Sequence, residues 1–338
     1  MNIALIGLGM VSGTHVAAIR ASEQGLSLAG VLGRNPEKTA EFARRNDTRA
    51  FGSVEEIAND PNVDFAIIAT PPDQRTELVR VLSTASKPIL MEKPIERTLD
   101  AATAIVEQCE MSGVPLGIVF QHRARAASQA LKSAIEQDEL GAIATVEIRV
   151  PWWRDQSYYD EPGRGTYARD GGGVMISQAI HTLDLAMWML GPISDIQAVM
   201  RKTPLHDLEA EDWAGAVFEM GNGAVGTLMA TTAEFPGAAE SITIQGTRAK
   251  AHLESGVLTV TTLDGRKSTV GETAATGGGA DPMAFTHAWH QAVIEDFAKA
   301  VSSGTLPMAT GHSALLTHAV IDAMQIANRT GQKTRVIA

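Results

Sequence analysis

With 338 residues, 44% of them hydrophobic, the chain is long enough for two domains of ordinary size and apolar enough to fill two cores. Its 28 Lys and Arg stand against 39 Asp and Glu, and a net charge of -11 disfavours nucleic acid or an anionic membrane surface as a partner. No apolar run approaches the roughly 18 residues of a membrane span. Met1 to Gly7 enters an apolar segment at once, without the basic region and cleavage site of a secretion signal. The single cysteine, Cys109, excludes an internal disulfide and fits a reducing cytoplasm, which is the expected location.

Ile3 to Ile6 reads as a short buried strand ending at Gly7-Leu8-Gly9-Met10-Val11-Ser12-Gly13, and Thr14 to Arg20 as the helix that follows. Strand, glycine turn and helix are the order a dinucleotide site requires. Gly7 makes the tight turn and Gly9 lets the backbone of Gly9, Met10 and Val11 approach a pyrophosphate. Ser12 takes the third glycine's place and is small enough for close packing. The second strand, about Leu26 to Leu32, runs into Gly33-Arg34-Asn35-Pro36. An NAD site usually carries an acidic residue there. Gly33 with Arg34 suits a 2′-phosphate, so NADP is favoured and NAD is the alternative; Arg34 also fits a plain solvated loop charge.

Ser53-Val54-Glu55-Glu56 has capping-box spacing. Asp64 to Ala69 is a buried strand that stops at Thr70-Pro71-Pro72, and Pro88 to Met91 is another that ends in Glu92-Lys93-Pro94. Ends of parallel strands face the ligand crevice, which makes Thr70, Pro71, Glu92 and Lys93 candidate cofactor contacts. Leu99 to Met111 reads as helix and Val114 to Phe120 as the last strand, followed by Gln121-His122-Arg123. Alternating strands and helices predict an α/β fold with a doubly wound parallel sheet over residues 1–120.

Residues 121–338 read differently. Ala126 to Glu136 is helical, and strand-like runs fall at about Ala144 to Val150, Asp195 to Arg201, Trp213 to Met220, Ala224 to Thr232, Ser241 to Gln245 and Val257 to Thr262. Gly221-Asn222-Gly223 joins two of them as a hairpin. Thr273 to Asp281 reads as a flexible loop, and helices at about Phe285 to Ser302 and Ser313 to Asn328 close the chain. The prediction is a second α/β domain with a large open, mostly antiparallel sheet.

Two segments of this half carry chemistry. Trp152 to Tyr167 concentrates all three tyrosines and two of the five tryptophans in one loop. Trp153, Arg154, Tyr158 and Arg164 there suit a sugar or an acidic substituent on one; a subunit contact explains the same composition. Gly171-Gly172-Gly173 is a flexible lead into an apolar helical run holding Ser177, His181 and Asp184, the last two on one face. His181 fits a proton-transfer role or a hydrogen-bonded core role, and the helix alone leaves both open. The nine histidines show no HExxH or comparable spacing, so no metal is expected.

GLGMVSGTH near the start, ATPP, EKP at Glu92 to Pro94, QHR at Gln121 to Arg123 and GGGVMISQAIHTLD together resemble the Gfo/Idh/MocA oxidoreductases. The resemblance implies NAD(P)-linked hydride transfer at a carbinol carbon of a sugar or cyclitol, and a homo-oligomer, dimer or tetramer. By position it implies Lys93 near nicotinamide and reacting hydroxyl, His181 as acid/base and Asp184 as partner of histidine or substrate. Gln121 falls among the implied cofactor contacts; Lys93, Arg123, Ser177 and His181 fall among those to substrate. Two departures stand out: Ser177 replaces an aspartate that many members carry, and Arg75 replaces a histidine. Ser177 motivates one alternative, a nicotinamide-binding sensor or scaffold without chemistry; the resemblance itself implies a second, a hydrolase or lyase that uses NAD transiently.

Overall fold

Six parallel strands with the helices between them make the first of two units, residues 1–121 with 286–315; the second comprises residues 122–285 and 316–338. The computed structural model describes residues 1–275, 277–279 and 281–337, so positions 276 and 280 of the predicted loop Thr273 to Asp281 lie outside the described residues.

In chain order the first unit runs β1 (Asn2–Ile6), α1 (Ser12–Ala21), β2 (Ser27–Leu32), α2 (Pro36–Arg45), β3 (Arg49–Ala50), α3 (Val54–Asn59), β4 (Phe65–Ile68), α4 (Arg75–Thr84), β5 (Ile89–Glu92), α5 (Leu99–Met111) and β6 (Leu116–Val119). The second has α6 (Ala126–Glu136), β7 (Ile143–Pro151), α7 (Gln156–Tyr159), α8 (Ile180–Leu190), β8 (Ile193–Arg201), β9 (Trp213–Met220), β10 (Val225–Thr231), β11 (Ser241–Gly246), β12 (Ala249–Glu254), β13 (Val257–Thr262) and β14 (Lys267–Gly271). The chain ends with α9 (Ala288–Ser303), α10 (Gly311–Thr330) and β15 (Thr334–Arg335).

The first sheet has the order β3-β2-β1-β4-β5-β6, every pair parallel. Its central strands are buried on both faces, which is why β4 is an unbroken apolar run and β5 stays apolar up to Glu92, rather than alternating. Asn35 caps α2 by accepting from the Lys38 amide, with Pro36 in the first turn. Ser53 caps α3 as its spacing predicts, but Glu56 reaches back one residue further, to the Gly52 amide. Helix α9 packs against α1 within this unit, and Phe297 lies edge-on to Phe65 at 5.2 Å.

The second sheet has the order β14-β13-β12-β11-β7-β10-β9-β8-β15, antiparallel except for the β7–β10 pair. Met220 and Ala224 close the predicted hairpin around Gly221-Asn222-Gly223. One face of the sheet is covered: α8 lies on β7 and β11, and α6 on β12 to β14. On the other, Val199, Val217 and Val225 are 46%, 57% and 51% exposed. No helix among the described residues is long and apolar enough to cross a membrane.

Candidate active site

In the first unit the strand order reverses between β1 and β4, the place where such sheets open a crevice for a ligand. Gly7 follows β1 there with φ +101°, and a Cβ on it would lie 2.6 Å from the Ala69 carbonyl carbon and 2.7 Å from the Thr70 nitrogen. Only glycine fits. A Cβ on Gly9, by contrast, would meet none of the described chain within 4 Å and would fill the space before the helix. Helix α1 starts at Ser12 with no side-chain cap and no acidic residue in its first turn, while the Ser12 hydroxyl donates to the Gly9 carbonyl at 2.7 Å and closes the turn. An uncapped helix end behind an open glycine cradle fits a pyrophosphate. Met10 and Arg34 are exposed and Val11 half-buried. At Gly33 a Cβ would come within 2.7 Å of Thr39 Oγ1 and 3.0 Å of Leu8, so the acidic residue usual at that strand end would require these two side chains to shift.

Glu92 ends β5 with its carboxylate turned inward. It takes a 2.9 Å hydrogen bond from His15 Nε2 of α1, and His290 Nε2 of α9 stands 3.6 Å away. Burial works against the charge, yet the two imidazoles outweigh it and hold this carboxyl well below the usual carboxylate range. Burial also pushes the His290 imidazole down. These three buried side chains are the one grouping among the described residues with metal-ligand chemistry. Sequence reasoning missed it because its members come from three distant segments. The 2.9 Å bond makes it a hydrogen-bonded hub that ties the glycine-turn helix to the strand presenting Lys93, itself half-buried.

In the second unit the glycine triplet is docked rather than flexible. Gly173 presses on Glu211 so closely that a Cβ would lie 1.7 Å from the Glu211 carbonyl oxygen. The Glu211 carboxylate accepts from the amides of Gly173 and Met175, each at 3.1 Å, and its carbonyl accepts from Val174 at 2.9 Å. Nothing in local spacing marks Glu211, which lies some distance downstream, and burial pushes its carboxyl upward. Met175–Ala179 form a π-helical turn, a feature frequent at functional sites, and α8 follows with His181 in its first turn. His181 is buried and stacked on His122, ring centroids 4.9 Å apart at 25°.

Asp184, one turn along, is engaged by Arg123 through bonds of 2.8 and 2.6 Å, so the structure brings two predicted site residues together as a pair. Ser177 is half-buried on the π-helical turn and Gln121 is buried beside His122. Around the aromatic loop, Trp152 and Tyr159 prove to be core residues, with the Tyr159 hydroxyl 2.6 Å from Thr232 Oγ1. Trp153 leans on Phe235 at 5.4 Å, and Arg154 is buried, donating to the carbonyls of Trp153, Gly277 and Gly279. Tyr158 is half-buried under the Arg164 guanidinium at 4.4 Å, with its hydroxyl 3.1 Å from Gln178 Nε2. Gln178 was absent from the predicted set although its spacing, three before His181, could have marked it.

A parallel sheet of this order with its glycine turn at the reversal, joined in one chain to an open-sheet unit carrying a buried histidine helix, defines a nicotinamide-dependent oxidoreductase. Comparison supplies the family. Residues 1–120 match the GFO_IDH_MocA oxidoreductase family with an NAD-binding Rossmann fold, and residues 128–252 match a GFO/IDH/MocA C-terminal domain; the chain belongs to this family. A D-apiose dehydrogenase from Rhizobium rhizogenes is 26% identical over 95% of this chain and 93% of its own length. A levoglucosan dehydrogenase from Pseudarthrobacter phenanthrenivorans is 26% identical over 68% of this chain and 67% of its own. Relatives from Synechocystis and Saccharomyces cerevisiae are matched over 53% and 59% of their lengths. Among solved structures, the WlbA dehydrogenase of Bordetella pertussis in complex with NADH and UDP-GlcNAcA superposes with TM-score 0.84 at 25% identity, covering 100% of this chain and 99% of that one. A levoglucosan dehydrogenase with NADH and levoglucosan, at 22% identity and TM-score 0.88 over 100% and 99%, shares the fold.

Proposed function

We propose that this oxidoreductase acts on a secondary alcohol or ketone carbon of a sugar, sugar derivative or cyclitol, with His181 as acid/base and Lys93 as electrostatic partner. The observation that carries the reading is the placement of His181: buried, at the head of a helix whose entry is pinned by Glu211, in a chain whose first unit has the pyrophosphate turn. The relatives named above, dehydrogenases of apiose and levoglucosan, support the substrate class.

Nicotinamide, when bound, supplies the hydride acceptor or donor. The chain supplies the proton traffic. The His181 imidazole takes the hydroxyl proton of the alcohol, a contribution of about 10²- to 10⁴-fold. An ammonium at Lys93 stabilises negative charge developing on that oxygen. Asp184 serves His181 at one remove, by fixing α8 through Arg123, rather than as a direct partner. Trp153, Tyr158 and Arg164, with Gln178, line the approach to the sugar; Arg154 holds the loop that carries them. NADP is the preferred cofactor, because Gly33 stands where a ribose-binding carboxylate is usual and Arg34 is exposed beside it. An oligomer, dimer or tetramer, is supported by the exposed valines on the open sheet face, and a monomer by light scattering would sink that part.

The test is a panel of sugars and polyols with NAD and NADP, followed by Lys93→Ala and His181→Ala on the best substrate. Folded variants that keep wild-type turnover would overturn the assignment. Cofactor binding without turnover anywhere in the panel would favour a sensor, and product without net cofactor reduction a transient-oxidation lyase or hydrolase.

A further inference from the structure

Arg75, the first residue of α4, is among the largest fully buried side chains of the protein. Its guanidinium is spent on backbone. Nε and Nη2 donate to the Thr70 carbonyl at 3.1 and 2.7 Å, and Nη1 donates to the carbonyls of both Glu92 and Pro94. Thr70 follows β4 and Glu92 ends β5, so one planar fork staples the carboxyl ends of two neighbouring strands. The two carbonyls on Nη1 flank Lys93 on either side. Burial brings the Arg75 pKa down to about 10, opposed by Glu92, Glu96 and Asp73, so the group stays charged at neutral pH.

A buried cation is expensive unless every donor direction is met, and a lysine could not meet three carbonyls in one plane. What the arrangement fixes is the backbone on both sides of a single half-buried lysine. We propose that Arg75 is the positioning residue for Lys93: it holds the Glu92 and Pro94 carbonyls and thereby sets the point from which the ammonium is presented. The same Glu92 is anchored from the other side by His15, so its carbonyl and its carboxylate are held by different partners. Arg75 touches no reacting atom in this scheme, and its importance rests on the reading of Lys93 given above.

The test reads Lys93 directly rather than through turnover. The full chain, with Arg75→Lys and Arg75→Ala, is acylated with trace acetic anhydride, and the peptides carrying Lys93 and the surface residue Lys333 are quantified by mass spectrometry. In folded variants Lys93 should acylate roughly threefold faster or more as its backbone loosens, with Lys333 unchanged. Millimolar guanidinium should return Arg75→Ala toward the wild-type rate. Unchanged Lys93 reactivity, an equal rise at Lys333, or variants that fail to fold and are not recovered by guanidinium would each overturn the proposal, leaving Arg75 a stabiliser of the fold alone. If instead Lys93→Ala kept full turnover, the role of Lys93 would fall while the acylation result still judged Arg75.

Discussion

Arg123 and Asp184 face each other in a two-bond fork of 2.8 and 2.6 Å, and their side chains are only 3% and 1% exposed. Burial pushes the Asp184 carboxyl upward and the Arg123 guanidinium opposes it. Removing one partner of such a pair strands the other charge, so Asp184→Leu or Arg123→Met alone should each cost about 3–5 kcal/mol. The joint change of Arg123→Met with Asp184→Leu should cost clearly less than the sum. Urea unfolding of the four proteins measures the coupling, and additive losses would show that the pair is not a unit.

At Gly173 the room for a side chain is gone. Gly173→Ala places a carbon against the Glu211 carbonyl, so the helix entry must shift, at a cost of about 1–3 kcal/mol or more. Thermal unfolding should show the loss, together with reduced turnover, since the displaced segment leads to His181. A variant as stable as the wild type would mean that the triplet is not seated on Glu211.

Acid should find the first unit through Glu92. Its carboxyl is held below the ordinary value of 4.5, so between the folded value and 4.5 the unfolded chain binds more protons than the folded one. Glu92 therefore stabilises fully above 4.5 and loses that contribution as pH falls below it. Unfolding free energies measured across this range should decline for the wild type and more gently for Glu92→Gln; parallel declines would exclude the hub as their source.

Arg34 decides a cofactor question. Arg34→Ala should weaken NADP by about tenfold, the worth of one charge-assisted contact, and NAD hardly at all. Titration of each nucleotide by fluorescence gives both constants. An equal loss for both would remove the 2′-phosphate from the account.

Strong local chemistry made much of this legible in advance. The glycine turn, the capping serine at Ser53 and the apolar strands follow from rules of a few residues' reach, and the parallel, doubly wound character of the sheet follows from the alternation of strands with helices. Strand β12 was missed because Ala249–Glu254 is composed of helix formers; its strand state comes from pairing with β11 and β13. Strand β14 offers no apolar alternation, all five residues being exposed. In the proposed site, His181, Asp184 and Arg123 are legible in the sequence as candidates, but not that the last two bind each other. Glu211, His15 with His290, and the span of Arg75 escaped for the same reason: each acts on a segment far away in sequence, where spacing says nothing.

Residues 286–315 belong to the nucleotide-binding unit, although they are made after most of the other one. Until they leave the ribosome, Phe65 lacks Phe297, Glu92 lacks His290, and the Ile118 amide lacks the Ala309 carbonyl that accepts from it at 2.9 Å. Vectorial synthesis thus begins this unit first and completes it late, with eight of the nine strands of the second sheet inserted between its halves. A fragment ending near residue 120 carries the whole glycine turn and still lacks part of its own core.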